Sequence, residues 1–387
     1  MIYLLYQRFG SWLEAHGMGF LRVFTFTSFQ ATVATVLSFV LCLAFGSSVI
    51  AWLRRQKIGD LATFDQIEVD KLMEGKKGTP TMGGILIICA IAIVIFLLAD
   101  IRNFYIKMAL VCLIWLGAVG ATDDWLKLTA GRRSGSRQGL TSLEKLLFQI
   151  GLGVVLGIFT YNYGRLSPPN HTLYFPFFKN LHLELNMLWF VVITTLVITG
   201  TSNAVNLTDG LDGLAAGCMA IVSFTFLVLA LIAGTEDLNI GGRPLAVYLY
   251  LPPILASGQM AVVAGAMSGA CLGFLWFNCN PARVFMGDTG SLALGGLISY
   301  VAIVIRQELI LLLVGGIFVI EALSVILQVS YFKYTRRKYG EGRRIFLMAP
   351  LHHHFQRKGW SENQVVVRFW LIGAMLAAMA LATVKLR

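Results

Sequence analysis

Four short polar clusters break a chain that is otherwise strongly apolar, and their residue types suit phosphate and metal chemistry. They are Asp123-Asp124-Trp-Leu-Lys127, Asn203-Ala-Val-Asn206-Leu-Thr-Asp209-Gly210-Leu-Asp212-Gly213, Asn278-Cys-Asn-Pro-Ala-Arg-Val-Phe285-Met-Gly287-Asp288-Thr-Gly-Ser291 and Pro350-Leu-His352-His353-His354-Phe355. A carboxylate at the centre of a bilayer costs about 2.5–3.5 kcal/mol even on the permissive insertion scale, and adjacent acids also repel. Asp123 and Asp124 must therefore lie at a water–lipid boundary, face a cavity or hold a cation. Joined by Asp288, they would supply three hard oxygen donors, a set that suits Mg²⁺ or Mn²⁺. The plainer alternative is a solvated helix end.

In the second cluster Asn203, Asn206, Asp209 and Asp212 recur every three residues, so a helix or tight turn would align them along one side. Such a face suits ribose hydroxyls, a base edge or a metal-bound phosphate; the competing use is a polar seam between helices. Gly287-Asp288-Thr-Gly-Ser reads as a helix start, where free N–H groups favour phosphate. Phe285, just before it, could stack on a base or anchor the chain at the membrane surface. The three histidines could serve zinc, although structural sites want four ligands at wider spacing; the favoured reading is a loop offering imidazole donors to a sugar or phosphate.

The elements that must position these clusters follow from composition. The chain has 387 residues, of which 57% are hydrophobic and only 13% charged. About a quarter would be charged in an ordinary soluble globule. A window of about 20 apolar residues, enough to span the hydrocarbon core, finds ten segments. They are 25–52, 82–99, 104–121, 143–163, 186–202, 211–233, 257–277, 289–305, 308–332 and 365–386. The expected fold is thus an all-α polytopic membrane protein with about ten transmembrane helices, read as one domain over 1–387. The segment 234–256 is too interrupted by Gly and Pro to span.

Of 31 Lys and Arg, 19 lie on connectors that follow odd-numbered spans. By the positive-inside rule those connectors are cytoplasmic and both termini lie outside. All four polar clusters then fall on the cytoplasmic side, as a cleft facing the cytoplasm. The net charge of +11, with a basic belt at Lys333–Arg344 and Arg357-Lys358, is matched to anionic membrane lipids and not to nucleic acid. Residues near 172–185, split by Lys179-Asn180, read as a small β-hairpin on the outer surface. The six cysteines lie in or beside apolar segments without disulfide or zinc spacing. A transporter would place its polar groups near the midplane, on helices related by a repeat. One-sided clusters without a repeat fit better an enzyme that joins a soluble anion to a lipid anion.

Lys77-Gly-Thr-Pro-Thr81-Met-Gly-Gly84 and the four clusters, in this order from about residue 50 to the end, resemble the bacterial phospho-N-acetylmuramoyl-pentapeptide-transferase family. Relatives in the polyprenyl-phosphate N-acetylhexosamine-1-phosphate transferase superfamily, including UDP-N-acetylglucosamine-1-phosphate transferases, share the acidic pair and the Asn/Asp cluster. The resemblance implies a multi-pass homodimer in the bacterial plasma (inner) membrane. It would convert UDP-N-acetylmuramoyl-pentapeptide and undecaprenyl phosphate to lipid I and UMP with Mg²⁺. That step belongs to peptidoglycan biosynthesis, on which cell wall, cell shape and cell division depend, and is a target of nucleoside antibiotics. By matching position, Asp288 is the principal metal ligand, and Asp123 and Asp124 lie near the reacting phosphates. Lys127 and Lys145 line the phosphate cleft. Thr81, Asp209, Asp212, Asn278, Phe285 and either Lys76 or Lys77 hold the nucleotide; Asn203, Asn206, His352, His353 and His354 complete the site.

Simple acid–base chemistry favours direct displacement. A phosphate monoester has a second pKa near about 6, so the lipid phosphate is already a dianion at neutral pH. What it lacks is tolerance for a pyrophosphate of like charge, which cations supply. The rival mechanism makes Asp123 or Asp124 a covalent nucleophile.

Overall fold

The computed structural model describes residues 2–56, 78–134, 139–164, 168–178, 181–234, 239–240, 242–254 and 256–385. Each of the ten apolar segments is mainly helical over its described residues. The first is α2 (Thr27–Arg55), after an N-terminal helix α1 (Ile2–Ala15) that the apolar pattern does not announce. Then come α3 (Gly84–Leu98), α4 (Phe104–Ser134), α5 (Ser142–Gly164), α6 (Met187–Thr208) and α7 (Leu214–Gly234). After a short helical turn α8 (Leu245–Tyr248) follow α9 (Met260–Asn278), α10 (Gly287–Val304), α11 (Glu308–Val314) and α12 (Gly316–Tyr339). The chain closes with α13 (Leu351–Arg357) and α14 (Glu362–Ala382). Among the described residues nine helices are long and apolar enough to cross a membrane, and α3 is a shorter apolar helix.

Two expected spans differ in detail. The segment 308–332 is not one helix, because Gly315-Gly316 divides it into α11 and α12. Paired glycines cost helix propensity and are a common break point. Conversely, α4 runs well past 121, since charged residues end a hydropathy window without ending a helix. Local signals fix several termini: Asn186 caps α6 through Trp189 N–H, Ser361 and Gln364 form a capping box on α14, and Gly340, in the left-handed region, ends α12.

The bundle is built around α9 and α10, which are almost wholly buried, while α2, α5, α6, α12 and α14 expose most of their surface to the surroundings. Helix α9 packs on α2 and α7; α10 packs on α4 and α6; and α5 packs on α6. Small residues permit these close approaches. Gly265, Gly269 and Gly273 of α9 face the α2 backbone at Ala31, Thr35 and Phe39. A Cβ on Gly84 of α3 would overlap Gly290 of α10, and one on Gly120 of α4 would overlap the Asp288 carbonyl. The crossings of α10 with α3 and α4 are thus backbone against backbone. Away from the helices, β1 (Thr172–Tyr174) and β2 (His182–Glu184) pair antiparallel with Leu173 opposite Leu183, in the region read as a hairpin. A second ladder pairs β3 (Asn239–Ile240) with β4 (Arg243–Pro244).

Candidate active site

The carboxylates of Asp123, Asp124 and Asp288 converge, each offering one oxygen within 4.8 Å of the others. Asp123 and Asp124 come from α4, while Asp288 comes from the first turn of α10; the glycine crossing at Gly120 is what lets the two backbones meet there. Helix α5 starts at the same end and delivers Lys145.

Each acid has a distinct set of partners. Asp123 is fully buried; its Oδ1 accepts the Leu140 N–H at 2.7 Å, and its Oδ2 meets Lys127 Nζ at 2.6 Å and Lys145 Nζ at 2.7 Å. The Oδ2 of Asp288 accepts from the same ammonium groups, at 3.1 Å from Lys127 and 2.6 Å from Lys145. Its Oδ1 accepts from Asn206 Nδ2 at 2.9 Å, and that amide also reaches Ser291 Oγ at 2.9 Å. Two ammonium groups between two carboxylates make a compact charge-assisted network. The position of Lys127 four residues after Asp123 on one helix face accounts for half of it.

Asp124 is differently employed. Its Oδ2 accepts the Thr289 N–H at 3.0 Å and the Thr289 hydroxyl at 2.6 Å, while Oδ1 accepts the Asp288 N–H at 3.2 Å. The free N–H groups that start α10, expected to seat a phosphate, are thus taken by a protein carboxylate. A helix N-terminus favours any anion in that position. Gly287 must be glycine: it has φ +73°, and a Cβ there would stand 2.6 Å from Asp124 Oδ2 and 3.0 Å from the Thr81 hydroxyl. Thr81 reaches this corner because the Gly83 and Gly84 N–H groups donate to the Phe285 and Met286 carbonyls at 2.8 and 2.9 Å, and Phe285 N–H donates to Pro80 O at 2.8 Å.

The Asn/Asp cluster diverges, because α6 ends at Thr208. Asn206 points into the acidic centre, but Asn203 donates to Gln149 Oε1 at 2.7 Å and Thr199 O at 2.8 Å, in a seam continued by Ser202 and the Leu292 carbonyl. Asn203 therefore joins helices and does not reach the acids. Asp209 caps α6, where burial and then the charges of Asp288 and Asp124 push its carboxyl up to about 8, against a Gly287 N–H that lowers it. Asp212 Oδ2 accepts from Asn280 Nδ2 at 3.1 Å and Ala282 N–H at 3.0 Å, while Asn278 accepts the Gly213 N–H at 3.0 Å and donates to Val284 O at 2.8 Å. These two residues lace the 210–213 turn to the loop that carries Phe285, which is half-buried.

The histidines lie on a short helix, α13, and not in a loop; the His352 and His353 rings are in contact, with centroids 4.2 Å apart, but each of the three has its own polar surroundings. His352 is buried, His353 Nδ1 contacts Gln356 Oε1 at 2.9 Å, and His354 Nδ1 accepts the Leu347 N–H at 3.1 Å. A cis Ala349-Pro350 bond precedes them. Lys76 and Lys77 lie outside the described residues. Thr289, Ser291 and Leu140 were missed; only Thr289 and Ser291, inside the third cluster, carried any sequence signal.

Comparison with known proteins gives the family. A family model described as glycosyl transferase family 4 matches residues 105–306, just over half of the chain and all of its acidic corner, which defines the class as a membrane glycosyl-group transferase. Residues 76–88 match the phospho-N-acetylmuramoyl-pentapeptide-transferase signature 1. Proteins of that name from Desulfotalea psychrophila and Chlorobium limicola are 45% and 43% identical, over 95% and 100% of this chain and 96% and 100% of their own lengths. One from Chlorobium chlorochromatii is 43% identical over 95% of both chains. The chain belongs to the phospho-N-acetylmuramoyl-pentapeptide-transferase family.

Proposed function

We propose that this protein transfers phospho-N-acetylmuramoyl-pentapeptide from its UDP-activated form to undecaprenyl phosphate, giving lipid I and UMP. The observation that carries the reading is the meeting of Asp123, Asp124 and Asp288 with Lys127 and Lys145 at one end of separate helices, within a chain of this family. Acids clustered with two lysines at one end of the bundle suit two anionic partners that meet at a membrane boundary.

The donor set fits Mg²⁺, with Mn²⁺ as a substitute, because all three ligands are hard carboxylate oxygens. Asp288 is the principal ligand, since it is the least buried of the three acids and is held by Asn206 on its far oxygen. When bound, the ion would neutralise charge on the bridging and leaving oxygens of the pyrophosphate. Lys127 and Lys145 hold the phosphates and shield the attacking dianion from its target. Asp123 keeps both lysines in place. Asp124 anchors the start of α10, and a carboxylate already accepting three hydrogen bonds is a poor nucleophile, which favours direct attack by the lipid phosphate. Little general-base help is needed, since that phosphate is already deprotonated.

Thr81, Asp209, Phe285 and Lys76 or Lys77 contact the nucleotide, with Asp212 and Asn278 fixing the turns that carry it. His353 and His354 offer ring nitrogens to the sugar phosphate. The protein acts as a single domain over 1–387, as a homodimer in the bacterial inner membrane with this end toward the cytoplasm. A nucleoside antibiotic that mimics the uridine half would compete at the same place.

Purified protein assayed with undecaprenyl phosphate and either UDP-N-acetylmuramoyl-pentapeptide or UDP-N-acetylglucosamine tests this. UMP release and lipid product are expected with the first donor only. Turnover with the second alone would move the chain to the neighbouring transferases, and turnover with neither would sink the reading.

A further inference from the structure

Helix α12 faces mostly outward, yet Glu321 in its second turn is fully buried. Burying a carboxylate costs several kcal/mol unless it is well paired, so its partner matters. Among the described residues its carboxylate pairs with one residue, His352. Oε1 accepts the backbone N–H of His352 at 3.1 Å, and Oε2 lies 3.1 Å from Nδ1 of the same imidazole. An ionised carboxylate only accepts, so it selects the ring form with its proton on Nδ1, leaving the lone pair on Nε2. His352 Nε2 is buried and, among the described residues, has no hydrogen-bond partner. It points at Gly210, where a Cβ would overlap it. Gly210 stands between Asp209 and Asp212, on the turn that the proposed function gives to the nucleotide.

We propose that Glu321 is a positioning residue of the transfer site: it fixes His352 as the Nδ1–H tautomer and aims Nε2, as an acceptor, at the Asp209–Gly213 turn and the N–H or O–H groups of a nucleotide held there. The nucleotide part of this statement rests on the proposed function; the tautomer part does not. The neighbouring helices α12 and α13 and the sequence-distant turn after α6 are thereby joined through one imidazole. The small residue at 210 also has a reason, since any side chain there would push the ring off its carboxylate.

Glu321→Gln is the informative change. The amide has one carbonyl and one NH₂, whereas His352 presents a backbone N–H that can only donate. The carbonyl stays on that N–H, the NH₂ faces Nδ1, and the ring proton must move to Nε2.

The test is nitrogen NMR of the full-length protein labelled with ¹⁵N-histidine, His352 being assigned by its loss in His352→Gln. Nδ1–H is expected in the unmutated protein and Nε2–H in Glu321→Gln. In the transfer assay Glu321→Gln should lose about 10-fold in kcat/KM for the UDP-sugar, by analogy with other partners that orient functional histidines. The KM for undecaprenyl phosphate should not move, and Glu321→Asp should recover part of the loss. In a His352→Gln background, Glu321→Gln should cost nothing further. An Nε2–H ring in the unmutated protein, or an equal loss with and without His352, would overturn the proposal. The spectrum of the unmutated protein decides the tautomer even if Glu321→Gln does not fold. Failure of transfer with either UDP-sugar strikes the proposed function alone, since the tautomer is read without turnover.

Discussion

Asp124→Asn separates an anchoring role from a chemical one, and its cost can be worked from three hydrogen bonds. The carboxylate accepts from Thr289 N–H, Thr289 hydroxyl and Asp288 N–H, and is only 4% exposed. An asparagine can keep its carbonyl on the Thr289 pair, but its NH₂ then meets the Asp288 N–H donor to donor. An unsatisfied buried N–H costs about 1–3 kcal/mol, and losing the charge from the two remaining bonds costs about 1 kcal/mol each. Removing one of three neighbouring negative charges returns part of this, which leaves a net destabilisation of about 2–4 kcal/mol. Because the start of α10 carries Asp288, its displacement by as little as about 1 Å should lower turnover about 100-fold. Thr289→Val removes one donor and leaves the carboxylate, so it should show the same two effects at roughly half the size in free energy. The assay pairs the thermal unfolding midpoint in detergent with the initial rate of UMP release. If Asp124→Asn abolishes turnover while its midpoint matches the unmutated protein, the hydrogen-bond accounting is wrong and Asp124 acts in the chemistry. Covalent catalysis would further show itself as exchange of labelled UMP into the UDP-sugar without lipid acceptor; no exchange is expected.

Asp288→Asn should abolish turnover and weaken the dependence on Mg²⁺, because it removes the charged ligand that Asn206, Lys127 and Lys145 hold in place. Near-normal rates at equal Mg²⁺ concentration would refute the metal assignment. Phe285→Ala should raise the KM for the UDP-sugar and leave that for the lipid unchanged; an unmoved nucleotide KM removes the stacking role. Asp209 has a carboxyl raised to about 8 by burial and by its acidic neighbours. The folded state therefore binds its proton more tightly than the unfolded chain. That stabilisation is complete below the ordinary carboxylate range and is lost as pH rises through about 8. In chelator-treated protein, Asp209→Asn should flatten the decline in unfolding midpoint between pH 6 and pH 9, and parallel curves would contradict the shift.

The spans were legible because apolar length is a strong physical signal, and the acidic corner because charge cannot be left in lipid without reason. Asp123, Asp124 and Asp288 announced themselves by type alone. What stayed hidden depends on direction. The three-residue spacing from Asn203 to Asp212 suggested one face, but α6 ends at Thr208, so Asp209 and Asp212 leave the helical register and Asn203 turns to Gln149. The start of α10 looked open to phosphate, and nothing local says that Asp124, 164 residues away, fills it. Glu321 was invisible for the same reason, since its partner His352 arrives from another helix. The break at Gly315-Gly316 was written in the sequence, but a window average smooths over two glycines.

The crossings at Gly84 and Gly120 carry an evolutionary consequence. Beside the acids, the α10 main chain at Gly290 and the Asp288 carbonyl is pressed against Gly84 and Gly120. Single amino-acid exchanges alter side chains and leave peptide groups where they were. At Gly84 and Gly120, however, every exchange adds the atom that would part the helices and shift Asp288, so descendants of this sequence should keep glycine at both positions while their lipid-facing residues drift.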